Sequence, residues 1–151
     1  MRPDIMKAVL LTGHGGLDKL EYRDYVMRPT AEAGEVLIKV GACGVNNTDI
    51  WTREGAYGRA DDPDAVSGWR REPFHFPRIQ GGDIAGRITA VGMGVDSGRV
   101  GERVLVNMAL YAGPGDGLIE AGFIGSERDG GFAEYVAVPA SDAIAKPANL
   151  I

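Results

Sequence analysis

The sequence predicts a mainly β domain carrying one short helix and two long loops, and three observations predict it. Apolar residues alternate with polar ones through several short stretches. Glycine is scattered singly between those stretches, 23 in 151 residues, about twice the usual share. Finally, one short segment has a helix start signal, and no βαβ alternation is present.

The alternation is clearest in three places. Glu35–Gly41 puts Val36, Ile38 and Val40 on one face. Asp83–Val91 puts Ile84, Gly86 and Ile88 on one face, with Arg87 and Thr89 opposite. Phe132–Val138 repeats the pattern. A period of two places one face of a strand against a core. Further strands are expected over Lys7–Thr12, Glu21–Met27, Arg103–Val106 and Ala143–Lys146, with breaks at Gly13–Gly16, Gly92–Gly94 and Gly130–Gly131. The helix is expected over Asp49–Glu54, capped by Asn47 or Thr48. Many strands with one helix argue for a barrel or sandwich. The segments 56–78 and 107–129 are left as loops long enough to be functional; the second contains Gly113-Pro-Gly-Asp-Gly117.

Composition narrows the function. The length fits one domain with a real core. A net charge of −5 without a basic run disfavours nucleic acid and anionic membrane as partners. No apolar stretch approaches the roughly 18 residues of a membrane span. The start has no signal-peptide layout, and the single cysteine, Cys43, rules out intrachain disulfides and suits a reducing cytoplasm. Gly92-Met-Gly94 with Ser97 approaches a G-x-G-x-x-G fingerprint, but it joins two strands and offers no helix on which phosphate would sit.

Ala42-Cys-Gly-Val-Asn-Asn-Thr-Asp49 resembles the segment of medium-chain dehydrogenase/reductases in which a Cys-Gly-x-x-x-x-Asp pattern turns from strand into the active-site helix. Other landmarks follow in that family's order: Met6-Lys-Ala-Val9, Gly34–Val40, Gly81-Gly-Asp-Ile-Ala-Gly86, Val91-Gly92, Val100–Val104 and Asp129–Val136. The resemblance covers nearly the whole chain. It implies a GroES-like, partly open β-barrel that forms the substrate side of the enzyme over residues 1–151. It also implies an NAD(P)-binding Rossmann domain after residue 151, absent from this chain, so the chain is read as a fragment unable to transfer hydride alone. NADPH or NADH is the implied cofactor, bound mainly by that other domain, and the full-length protein is expected to be a homo-oligomer acting on a small molecule.

Zinc-using members carry a thiolate at the position of Asn46 and His-Glu at Gly82-Asp83, and a structural-zinc lobe with four cysteines in the region of 107–129. Here only the carboxylate, Asp83, remains, and 107–129 has no cysteine. Tight zinc binding is therefore not expected. A substitute site from Cys43, Asp83 and His75 is weighed against a buried structural thiol, and the thiol is preferred. His14 and His75 are expected to be solvated. Gly44-Val-Asn46 resembles the signature of the zinc-independent quinone oxidoreductase branch. Without a metal, hydride addition to a conjugated enone or quinone is easier than reduction of an isolated carbonyl, because charge spreads into an enolate.

The candidate catalytic residues are Asn46, as an amide donor to substrate oxygen or a tie between strand end and backbone, and Thr48, as a hydroxyl proton relay or a helix cap. Asn47 is the candidate for contact with the cofactor. Trp51, Tyr57, Trp69 and Arg70 are candidates for the substrate cleft, with Arg71 and Phe74 nearby; a bulky or anionic substrate is weighed against a solvated lid. Asp49 and Asp83 are expected to be structural, Asp49 by accepting backbone N–H groups. Two rival functions are kept open: a zinc alcohol dehydrogenase with rearranged ligands, and a stand-alone GroES-like binding module.

Overall fold

A computed structural model describes residues 4–111, 117 and 121–150. Gly113-Pro-Gly-Asp-Gly117 thus falls almost wholly outside the described residues. The elements follow in the order β1 (Ile5–Leu11), β2 (Leu20–Met27), β3 (Glu35–Gly44), α1 (Asn47–Glu54), β4 (Arg78–Ile79), β5 (Asp83–Val91), β6 (Arg103–Val106), β7 (Ala109–Leu110), β8 (Gly122–Phe123), β9 (Tyr135–Pro139) and β10 (Ala143–Ala145). They form three antiparallel sheets, ordered β2-β1-β4, β10-β6-β5-β3-β9 and β7-β8. The sheets stay open, and the fold is the mainly β, GroES-like one that the sequence implies. No helix among the described residues is long and apolar enough to cross a membrane.

The main core lies on one face of the five-stranded sheet. Val36 and Ile38 of β3, Ile84 and Ile88 of β5, Val104 of β6, and Val136 and Val138 of β9 are all buried in it. These are the positions that alternation selects, so period two did its work in β3 and β5. A second, smaller cluster forms under β1 from Met6, Ala8, Leu10 and Ile79.

The sheets are stitched together where β9 begins. The expected strand Phe132–Val138 is divided: its first residues bond to β1, through Val9 N–H to the Phe132 carbonyl (2.8 Å) and Glu134 N–H to the Lys7 carbonyl (3.0 Å). Pairing with β3 starts at Glu134, whose carbonyl takes the Val40 N–H at 2.9 Å, and runs on from Tyr135. Alternation does not reveal such a change of partner, because the side-chain period is the same on either neighbour. Within β9, Ala137 is buried along with Val136 and Val138, and the Arg128 guanidinium bonds its carbonyl at 2.8 Å.

The helix begins earlier than expected. Its cap is Asn46, not Asn47 or Thr48, because the Asn46 side-chain oxygen reaches the Thr48 N–H at 2.8 Å. Gly55, at φ 82°, closes the helix in the left-handed region. Gly92 marks a close backbone approach: a Cβ there would lie 1.6 Å from the Glu32 carbonyl oxygen, where Gly92 N–H bonds the Glu35 carbonyl.

Ile38→Ala should lower the unfolding free energy by about 3–4 kcal/mol, from lost transfer energy and the cavity left behind. Tyr22→Ala, on the exposed outer strand β2, should change it by less than about 0.5 kcal/mol. Urea unfolding of both variants is the check.

Candidate functional site

The site is built where α1 leaves the end of β3. Asp49, one turn into the helix, uses both carboxylate oxygens as acceptors. One takes the Asn46 N–H at 3.0 Å and the other the Gly81 N–H at 3.0 Å. Gln80 adds a bond from its amide nitrogen to the Asp49 carbonyl at 2.9 Å. The helix start is therefore pinned to the turn between β4 and β5. Burial raises the Asp49 pKa above the ordinary carboxylate value, opposed by the two backbone N–H groups, with the Asp83 charge raising it further.

That pin places Asn46 beside Asp83, the first residue of β5. The Asn46 amide nitrogen donates to Asp83 Oδ2 at 2.9 Å while its oxygen caps the helix. The tie between strand end and backbone is thus present. One of the two amide N–H groups is committed to Asp83.

These residues do not fit a zinc ion. The Asn46 oxygen is used by the Thr48 N–H and its nitrogen by Asp83. A Cβ on Gly82 would meet Met108 Cε at 2.9 Å and the Ile124 carbonyl at 3.2 Å, so Met108 fills the room an imidazole would need. Cys43 faces the Gly81 and Gly131 backbone. Burial pushes its thiol up to about 12, with the Asp49 and Asp83 charges adding to the shift. His75 lines a separate recess with Glu72 and Arg78. Among the described residues, no group of three or more His, Cys, Asp or Glu could hold a metal.

Beside the helix lies an apolar cleft of about 260 Å³, lined by Thr48, Thr52, Tyr57, Trp69, Arg70, Met108, Phe123 and Ser126. Four sequence candidates, Thr48, Tyr57, Trp69 and Arg70, meet there. Asn46, Thr48 and Asp49 line an adjoining recess floored by Gly82 and Gly125. Asn47 and Trp51 line neither. Asn47 sits on the exposed first turn of α1, and Trp51, 48% exposed, packs its ring 5.8 Å from that of Tyr57.

Arg70 departs from the picture of a cation on a solvated lid. It is 8% exposed, donates to Glu127 at 2.8 Å, and lies 4.5 Å over the Phe74 ring. Burial lowers its pKa, although the Glu127 charge opposes this. The reason is tertiary: the loop 56–78 folds back on itself, with Arg70 N–H on the Gly58 carbonyl and Val66 N–H on the Ala56 carbonyl. That fold brings Arg70 against the second loop. His14 is exposed, as expected, and it also has partners. Its Nδ1 donates to the Thr52 carbonyl at 3.0 Å, and Phe74 and Phe76 flank its ring.

Four cleft residues went unread in the sequence. Thr52 is four residues after Thr48, which puts both on one helix face, and that spacing was available. Met108, Phe123 and Ser126 come from the 107–129 loop, where no periodicity marks direction.

The Cys43 thiol should resist iodoacetamide. Its folded value lies above the ordinary thiol value, so the native chain holds it protonated while an unfolded chain ionises. Stability from this group is full below the unfolded value near 9 and is lost as pH rises toward 12. Alkylation at pH 8 should run more than tenfold slower in native than in urea-unfolded chain, read by mass spectrometry.

A model described as the alcohol dehydrogenase GroES-like domain matches residues 32–148. A crystal structure of a candidate alcohol dehydrogenase from Sinorhizobium meliloti 1021 is 56% identical, with a TM-score of 0.90, and the match covers 99% of this chain and 42% of that one. The quinone oxidoreductase of Lama guanicoe is 34% identical over 109 residues, 72% of this chain and 29% of that protein. The chloroplastic NADPH-dependent alkenal/one oxidoreductase of Arabidopsis thaliana is 29% identical over 148 residues, 98% of this chain and 33% of that protein. The chain thus spans about a third of these curated relatives and about two fifths of the crystallised one. Its sheet order, its strand-to-helix turn and the family match together make this chain an alcohol dehydrogenase GroES-like domain of the medium-chain dehydrogenase/reductase superfamily.

Proposed function

We propose that the chain is the substrate-side domain of an NAD(P)H-dependent reductase that acts on quinones or activated enones without zinc. The observation that carries this reading is the Asn46–Asp83 hydrogen bond beside a Gly82 whose side-chain space is filled by Met108. An amide–carboxylate pair and a thioether stand where zinc-using relatives place ligands. Polarisation of the substrate then falls to neutral donors, which suffices when charge is delocalised over an enolate or a hydroquinone anion.

A nicotinamide cofactor, held mainly outside these residues, supplies the hydride. Asn47, with its exposed side-chain amide on the first turn of α1, is what this chain offers the cofactor's polar groups. The cleft walls of Tyr57, Trp69, Met108 and Phe123 suit a flat apolar substrate. As hydride adds to the β-carbon and the electron pair moves to oxygen, the Thr48 hydroxyl and the second Asn46 N–H hold that oxygen. A solvent proton then completes the reduction at the α-carbon. Arg70 is paired with Glu127, so its charge gives no special advantage to an anionic substrate. Quinones and alkenals named for the relatives agree with this chemistry.

The full-length protein, purified without chelator, should contain less than about 0.1 zinc per chain and reduce 3-buten-2-one or 2-methyl-1,4-naphthoquinone with NADPH or NADH. Chelator should leave the rate unchanged. Stoichiometric zinc with chelator-sensitive alcohol oxidation would favour the alcohol dehydrogenase reading and end this one. Thr48→Val should lower kcat/KM for the enone about tenfold, the loss of one hydrogen bond of about 1.4 kcal/mol at the developing charge.

A further inference from the structure

The two long loops meet over the cleft at one carboxylate. Glu127 Oε1 accepts from the Arg70 guanidinium at 2.8 Å, and Glu127 Oε2 accepts the Phe123 N–H at 2.7 Å. Phe123 and the residue just before Arg70, Trp69, present rings to the cleft with their centroids 5.7 Å apart. The same carboxylate therefore holds the backbone behind one ring and the neighbour of the other. Arg70 is in turn fixed by its N–H on the Gly58 carbonyl and by the Phe74 ring beneath its guanidinium. Glu127 itself is anchored by its own N–H on the Phe123 carbonyl at 3.0 Å.

We propose that Glu127 is a positioning residue that sets the spacing of the Trp69 and Phe123 rings and thereby selects planar, two-ring substrates over small open-chain ones. It touches no reacting atom. The two rings pack at 47° to one another and form a corner of the cleft. A planar two-ring molecule gains most when its face lies on one ring and its edge meets the other, because dispersion falls off steeply with a gap of even about 1 Å. A small enone needs only the hydrogen bonds near Thr48, and it is indifferent to that spacing. Of the alternatives at this position, glutamine keeps one acceptor for the Phe123 N–H but then turns an N–H toward the Arg70 donors, which opens the pair. Aspartate keeps the charge but is one methylene shorter, so it cannot reach both partners.

This assignment rests on the reading of the cleft as the substrate site, and the test has two arms so that the two ideas fail separately. In the first, Trp51→Phe leaves Trp69 as the sole tryptophan of the chain. Binding of 2-methyl-1,4-naphthoquinone is then followed by quenching of Trp69. Glu127→Gln should raise Kd about tenfold and Glu127→Asp about threefold, with circular dichroism unchanged. In the second arm, the full-length enzyme carrying Glu127→Gln should show KM for that quinone raised about tenfold. Its kcat should stay within twofold, and both constants for 3-buten-2-one should be unchanged. Binding that ignores both substitutions overturns the assignment to Glu127 but leaves the reductase reading intact. Equal losses for quinone and enone, accompanied by a lowered Tm, mean that Glu127 only supports the fold, and they also overturn it. Glu127-dependent binding in a protein that reduces neither substrate retains the positioning role and removes the reductase reading. No binding of the quinone by the full-length protein in the presence of NADPH or NADH removes both.

Discussion

The Asp49 carboxylate is the constraint from which the site follows. It receives the backbone N–H of Asn46 from the start of the helix and that of Gly81 from the turn between β4 and β5. Each would otherwise be a partly buried donor, and leaving such a group unpaired costs about 1–3 kcal/mol. Its own ionisation is disfavoured by burial, so the two donors are what make a carboxylate tolerable there. Once that junction is made, the rest of the local geometry has little freedom. Asn46 must cap the helix and lie against Asp83, and Thr48 and Thr52 must face the space between helix and loops.

On the far side of that space, the opposing wall is made by segments with little regular structure. The 56–78 loop is held by its own backbone bonds and by the packing of Arg70 over Phe74, and the second loop joins it through Glu127. The pair is buried only on the Arg70 side, Glu127 being 40% exposed, so it contributes little net stability, but a displaced Glu127 would leave the buried guanidinium without its carboxylate. The cleft therefore combines a rigid side, pinned by a carboxylate to a sheet, with a side whose shape depends on one charged contact. This division suits an enzyme domain in which the chemistry must stay in place while the substrate fit is adjustable through loops.

Three positions meet where the helix starts. Asn46 uses both ends of its amide, Asp83 uses its carboxylate to receive one of them, and Met108 comes from a distant loop to occupy the space over Gly82. The arrangement is packed and hydrogen-bonded, and a side chain added at Gly82 would meet Met108.

The mainly β fold, the strands β3 and β5 with their buried faces, the helix and the landmark order of the family were all legible from residue pattern, because alternation and capping chemistry act over a few neighbouring residues. Tyr57, Trp69 and Arg70 were expected near a cleft and Thr48 at the helix start, and the structure brings these four residues to one cavity while leaving Trp51 outside it. The switch of partner along 132–139, the role of Asn46 as cap and Asp83 partner, the burial of Arg70 and the arrival of Met108, Phe123 and Ser126 were not. The Asn46 cap is a local contact that competed with equally good capping residues at 47 and 48. The others depend on contacts between segments from about twenty-five to more than a hundred residues apart, or on which of two equivalent neighbours a strand adopts. Local propensity and period carry no term for either. The sequence alone determined which faces are apolar and which residue types are available for chemistry; the tertiary structure alone decided which of those residues meet, because loop direction is set by long-range hydrogen bonds such as those of Asp49 and Glu127.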